Sequence, residues 1–393
     1  MVDYASSTAA VARRRRRREA VESLPVVRRL DWILLATFAV TVAYGLWLIA
    51  GITHDDWRGD PNHYVIRQIV FVGVGAIAFL VAVFIDPALY HRYQRVIYAG
   101  TLGVMVLVFL AGAAARGSKR WIDLSFFRFQ PSEFGKLFFV LFLAGFLADR
   151  GRRVAETRIV LTAIGLALLP IGLVFLQPDV GTALVYTAAL AAVLFLAGTR
   201  WLHLTALLTV AVTVALSVLW LLPSAGVQVL KPYQQERFTS FLHQGENRQG
   251  SSYNIDQSRT AIGAGGAKGR GVEGATQTKL DYLPEHATDF AFASVGEQRG
   301  FLGSSFLLLL YLTIVWRGLK AVTRARDAFS AIAAGGIVFA FLFQVFVNVG
   351  MTMGIAPITG IPLPFVSVGG SAMVANMLAI GVLQSIYARG RRR

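Results

Sequence analysis

Carboxylates and cations are the residues here whose types and spacing could do chemistry. The chain has no cysteine, and its six histidines show no HxxxH spacing. Thiolate catalysis, disulfides, cysteine-based metal sites and a zinc-protease helix are excluded on that ground. Asp289 stands in Leu283-Pro284-Glu285-His286-Ala287-Thr288-Asp289-Phe290, and Glu297 follows it eight residues on. In a helix that spacing is roughly two turns. Apolar neighbours such as Phe290 and Phe292 can push up the pKa of an acid at the aqueous edge of a membrane helix, which would suit a general base. The competing reading of Thr288-Asp289 is a helix N-cap.

Glu133 and Lys136 are three residues apart, on one helical face. They form either an ion pair stabilising a helix start or a polar element of a cavity, shared with Arg120 or with a substrate. Gly263-Ala264-Gly265-Gly266-Ala267-Lys268-Gly269-Arg270-Gly271 superficially suggests a phosphate cradle. No Gly-Lys-Ser/Thr closes it and no βαβ unit surrounds it, so it is not a nucleotide loop. Lys268, Arg270 and the nearby Arg259 could hold an anionic group, or the glycines could simply let a loop turn.

The elements that must position these residues are set by lipid. Of 393 residues, 55% are hydrophobic and 15% charged, against about 25% charged in soluble domains, and mean hydropathy is +0.57. The net charge of +16 is not a nucleic-acid signal, because the basic residues fall in short runs between apolar stretches. A spanning helix needs roughly 20 apolar residues. Ten candidates meet the pattern, at 32–53, 64–85, 94–115, 133–149, 158–176, 182–198, 203–222, 300–317, 328–352 and 367–388. The least secure break is Gln177-Pro178-Asp179-Val180-Gly181, a very short turn between two spans.

With ten spans and the N-terminus inside, inner segments hold 23 Lys/Arg and the short outer loops five. That bias predicts both termini in the cytoplasm. Residues 1–29, with the run Arg13–Arg18, read as a basic tail resting on anionic lipid or merely solvated, not as a cleaved signal. Residues 30–388 form the spanning domain, and 389–393 a basic C-terminus. The exception to short loops is 223–299, between spans seven and eight. It is glycine-rich but holds Tyr233, Phe238, Phe241, Tyr253, Ile255 and Leu283, too much apolar content for a linker. Short amphipathic pieces lying on the outer membrane surface are expected there.

Four blocks in this order resemble the SEDS family (shape, elongation, division and sporulation). They are Gly117-Ser118-Lys119-Arg120-Trp121-Ile122-Asp123-Leu124 with Phe129-Gln130-Pro131-Ser132-Glu133, then Gln177-Pro178-Asp179-Val180-Gly181-Thr182-Ala183. Tyr253-Asn254-Ile255 through the glycines to Thr288-Asp289-Phe290 follows, and Asn348-Val349-Gly350 with Thr359-Gly360-Ile361-Pro362-Leu363-Pro364-Phe365 and Gly369-Gly370-Ser371 completes the set. Pro232-Tyr233-Gln234 is closer to the RodA than to the FtsW branch, while His243-Gln244-Gly245-Glu246 and Ala287 depart from the usual wording.

The resemblance implies an all-α polytopic glycosyltransferase that polymerises lipid II at the outer face, with Asp289 as catalytic acid-base group and Glu133 and Lys136 as a polar pair. It implies a class B penicillin-binding protein as partner, and neither nucleotide sugar nor nucleic acid. Lys119, Arg120, Trp121, Arg259, Lys268, Arg270 and Glu297 are the further expected substrate contacts; a divalent cation is an open expectation. A lipid flippase and a non-catalytic scaffold for the transpeptidase are the rival readings.

Overall fold

The computed structural model describes residues 26–57, 60–111, 113–115, 118–123, 128–242 and 251–390. The basic runs Arg13–Arg18 and Arg391–Arg393, together with Arg58, Arg116 and His243-Gln244-Gly245-Glu246, lie outside them.

Helices dominate. In chain order they are α1 (Trp32–Ile52), α2 (His63–Phe84) and α3 (Pro87–Ala111), then after a small sheet α4 (Pro131–Ala148), α5 (Thr157–Leu176), α6 (Val180–Leu196) and α7 (Trp201–Leu216). They continue with α8 (Pro232–Leu242), α9 (Ser251–Gly265), α10 (Thr276–Lys279), α11 (Ala291–Arg324), α12 (Ala328–Thr352) and α13 (Gly370–Arg389). Among the described residues nine helical stretches are long and apolar enough to cross a membrane, α7 counting together with its helical continuation to Ser224; α6 is apolar but has only 17 residues. Where ten spans were expected, nine stretches meet the length of a span, and the short α6 falls outside that count. The turn at Gln177–Asp179 does separate two helices, because Asp179 caps α6 by accepting from Thr182 N at 3.1 Å.

Where the third span was expected to run to residue 115, α3 ends at Ala111. Ala113–Ala115 instead forms β1, pairing antiparallel with β2 (Ser118–Asp123), which pairs in turn with β3 (Arg128–Phe129). Three alanines score as apolar in either state, so hydropathy could not see the hairpin.

Position in the bundle follows sequence. The α4 helix is apolar nearly all round, from Leu137 to Leu147, and is buried on almost every side together with α12 and α13, as an all-apolar helix should be. By contrast α7 buries none of its residues and presents Leu202, Leu208, Val210, Val212 and Val214 outward, which in this setting is a lipid-facing surface.

The segment 223–299 contains α8, α9, α10 and the first turns of α11. The eighth span was expected to begin at residue 300; the helix starts earlier, at Ala291, and breaks at Gly300, where φ is 63°. Only glycine adopts that conformation freely. The break frees main-chain groups that the glycine-rich stretch then pairs. Arg270 N and Gly271 N donate to Glu297 O and Gln298 O at 2.9 and 3.0 Å, and Phe301 N and Leu302 N donate to Gly266 O and Ala267 O at 2.8 and 3.1 Å.

Candidate functional site

Asp289 sits on a short non-helical connection whose carbonyls are pinned one after another. His286 O accepts from Ser294 Oγ at 3.1 Å and Ala287 O from Val368 N at 2.9 Å. Thr288 O accepts from Ser367 Oγ at 2.5 Å, and Asp289 O from Asn348 Nδ2 at 2.9 Å. Four consecutive carbonyls are thus held by α11, by α12 and by the segment leading into α13. Phe290, not Asp289, occupies the N-cap position of α11, and no side chain caps it. The N-cap reading of Asp289 is therefore set aside, and its carboxylate is left half-buried.

That carboxylate shares its surroundings with an arginine of α8. Gly360 adopts φ +72°, and a Cβ there would stand 3.3 Å from both Asp289 Oδ2 and Arg237 Nη1. The side chains of α8 and of the α10–α11 connection therefore reach the same small volume, which the missing Cβ keeps open. Next to it is a narrow cleft of about 20 Å³ lined by Arg120, Asp179, Gln234, Arg237, Ile358 and Thr359. Arg120 Nη1 lies 3.6 Å from Asp179 Oδ2 and its guanidinium stacks 5.1 Å from the Trp121 ring. Gln130 Nε2 donates to Asp179 Oδ2 at 3.1 Å, and Trp121 Nε1 to Gln130 Oε1 at 3.2 Å. Lys119 lies on the same strand, β2.

Below the cleft a buried polar column enters the bundle. Lys136 Nζ donates to both Glu133 oxygens, at 2.9 and 2.8 Å, and to Gln344 Oε1 at 3.3 Å. Gln344 Nε2 reaches Pro362 O at 2.9 Å, and Asn348, one turn along α12, reaches Ile361 O at 2.7 Å. Glu133 and Lys136 line a small cavity of about 40 Å³ whose remaining wall is mostly apolar. They are thus an ion pair and a cavity wall at once; Arg120 pairs with Asp179 instead.

The other expected contacts are placed elsewhere. Glu297 is fully buried and accepts from Gln277 N, Thr278 N and Thr278 Oγ1 at 2.8, 2.9 and 2.8 Å, which holds the start of α10. Arg259, Lys268 and Arg270 are exposed, and Arg270 Nε bonds Ala264 O at 3.0 Å within its own loop. The glycine stretch serves the break in α11. Sequence reasoning passed over Arg237, Gln234 and Asp179 as site residues; the phrase Tyr233-Gln234-Gln235-Glu236-Arg237 offered an arginine one turn beyond Tyr233, the only signal available. Among the described residues no group of three or more His, Asp or Glu gathers as a metal-ligand set. The positive charge facing the cleft comes from Arg120 and Arg237.

A polytopic helical bundle with an aspartate and two arginines converging at one end defines a membrane-embedded enzyme-like site. The chain belongs to the FtsW, RodA and SpoVE family, whose model, described as a cell cycle protein, matches residues 29–392. It is 33% identical over 363 residues to stage V sporulation protein E of Bacillus subtilis, covering 91% of this chain and 95% of that protein. It is 36% identical over 323 residues to the peptidoglycan glycosyltransferase MrdB of Escherichia coli, covering 82% and 85%. Among solved structures, a chain of a peptidoglycan synthase complex that coordinates polymerization and crosslinking aligns with a TM-score of 0.77 at 28% identity, over 91% of this chain and 97% of that one. The rod shape determining protein RodA of Thermus thermophilus aligns with a TM-score of 0.68 at 25% identity, over 93% and 98%.

Proposed function

We propose that this chain is a peptidoglycan glycosyltransferase that polymerises lipid II at the outer face of the cytoplasmic membrane, in the elongation branch of its family. The observation that carries the proposal is the meeting of Asp289 Oδ2 and Arg237 Nη1 over Gly360, beside the cleft that holds Arg120. Similarity to the peptidoglycan glycosyltransferase MrdB supports the reaction class. In the reaction, the 4-hydroxyl oxygen of the acceptor sugar attacks the anomeric carbon of the donor. Asp289 takes the hydroxyl proton, the bond from carbon to diphosphate oxygen breaks, and the isoprenyl diphosphate departs. A single displacement on an α-linked donor gives a β-linkage. Arg120 and Arg237 offset the charge that builds on the leaving group.

The basic-residue bias of the loops supports both termini in the cytoplasm and Asp289 outside. A class B penicillin-binding protein is the proposed partner, in line with the synthase complex that this chain resembles. The test is polymerisation of labelled lipid II by the purified protein. General base catalysis contributes about 10²–10⁴-fold, so Asp289→Asn should lose activity on that scale while inserting normally. Polymerisation at the parental rate would remove Asp289 from the mechanism, and lipid II transport without polymer would favour a flippase.

A further inference from the structure

At the far end of the bundle from the Asp289 cleft, α3 begins where α4 ends, a full helix length away. Ala88, Arg92 and Arg95 recur at helical spacing on the first turns of α3, and with His91, Gln94 and Asp149 they line an open recess of about 450 Å³. The one carboxylate in this recess is already occupied: Asp149 Oδ1 lies 2.8 Å from His91 Nε2, and Oδ2 accepts from Gln94 Nε2 at 2.9 Å. Arg150 turns back onto its own helix, donating to Phe146 O at 2.5 Å and lying 3.4 Å from the Phe146 ring centroid. Among the described residues no carboxylate stands within 4 Å of Arg92, Arg95 or Arg150. Burial lowers the pKa of Arg150; Asp149 opposes that, and the like charges of Arg95 and Arg153 add to it. An anion would relieve this crowding.

An apolar groove of about 630 Å³ adjoins the recess along the chain. It is lined by Ile77, Leu80, Val81 and Phe84 from the end of α2, and by Ile85, Asp86 and Leu89. The groove exists because α2 packs along α13 and α1 whereas α3 packs along α4 and α5, so the two helices part at the corner. Asp86, the acid at that corner, accepts from Ala88 N at 2.8 Å and lies 3.6 Å from Arg389 Nε. Positive charge therefore prevails beside an exposed apolar trough.

We propose that this corner binds one anionic phospholipid, its phosphate seated on Arg92 and Arg95 and one acyl chain lying in the groove between the end of α2 and Leu89. Any lipid chain suits the trough; the arginines without acid partners choose the headgroup. A guanidinium fork matches phosphate oxygens in pairs, and a zwitterionic headgroup would bring its ammonium toward Arg150. The chain's own basic run Arg13–Arg18 has the same sign as the recess and is not a candidate occupant. The site stands apart from the glycosyl-transfer reading and does not rest on it.

The test uses the full-length protein in detergent micelles, titrated with phosphatidylglycerol or phosphatidylcholine and read by native mass spectrometry. The parent should retain one phosphatidylglycerol in preference to phosphatidylcholine. The double variant Arg92→Gln/Arg95→Gln should bind phosphatidylglycerol about tenfold more weakly, ~1.4 kcal/mol, with phosphatidylcholine unchanged. Arg92→Lys/Arg95→Lys should keep most of the preference, and Val81→Trp, which fills the trough, should lose the bound lipid whichever headgroup it carries. Retention of the preference in the glutamine variant would overturn the proposal. So would equal competition by glycerol phosphate, which would make this a site for free phosphate. Independent of any variant, the parent's thermal midpoint should rise with phosphatidylglycerol and not with phosphatidylcholine; no such rise also overturns it.

Discussion

The side-chain amide of Asn348 donates to the main-chain carbonyl of Asp289 at 2.9 Å and to that of Ile361 at 2.7 Å. One fully buried residue on α12 thereby ties the connection that bears the candidate base to the segment that contains Gly360. Replacing it with Ala leaves the buried carbonyl of Ile361 unpaired, at about 1–3 kcal/mol, and the part-buried carbonyl of Asp289 untied. Displacing a reacting group by about 1 Å lowers rates on the order of 100-fold. Asn348→Ala should therefore slow lipid II polymerisation by that order and lower the thermal midpoint. A variant that melts lower but polymerises normally would show that the tie is structural only.

Arg237 should separate binding from chemistry. If its charge stabilises the departing diphosphate, Arg237→Gln should lower kcat by about 10²-fold, the scale of losing one such donor, with a smaller change in KM. Arg237→Lys should recover part of the rate, because a point charge replaces a fork. A rise in KM alone would make Arg237 a docking residue.

The buried pair Glu133–Lys136 makes a prediction about stability. Their side chains are 3% and 10% exposed, so removing one partner strands a charge, which costs about 3–5 kcal/mol. Lys136→Met should lower the thermal midpoint sharply, and the double change Glu133→Leu/Lys136→Met should restore much of it. Equal losses for the single and double variants would mean the pair is not coupled.

His286 gives the expected pH dependence. Burial works against the charged ring, but the hydrogen bond and charge of Asp56 outweigh it, helped by Asp281 and the Leu283 carbonyl, and the pKa is raised. The contact with Asp56 spans 2.9 Å and joins the turn after α1 to the approach to Asp289. Because the folded value is raised, this stabilisation is fully present below the unfolded pKa of about 6.5 and fades as pH rises through the folded value. The parent's thermal midpoint should fall across that window more than that of His286→Gln. Parallel pH profiles would rule the pair out.

Lipid as solvent made most of the architecture readable from residue types. A run such as α12, Ala328–Thr352, satisfies its backbone internally and needs only length and apolarity to be recognised. Asp289, Arg120 and the Glu133–Lys136 pair were also legible, since charges beside apolar runs are conspicuous. Residue spacing could not assign partners across hundreds of positions. Glu297 looked like a second site acid, yet it holds α10; Lys268 and Arg270 looked like anion ligands, yet their loop pairs the groups freed at Gly300. Arg237 enters the site because α8 folds back toward Gly360, 123 residues further along the chain. Those assignments depend on hydrogen bonds and close approaches between distant segments, which hydropathy and periodicity do not encode.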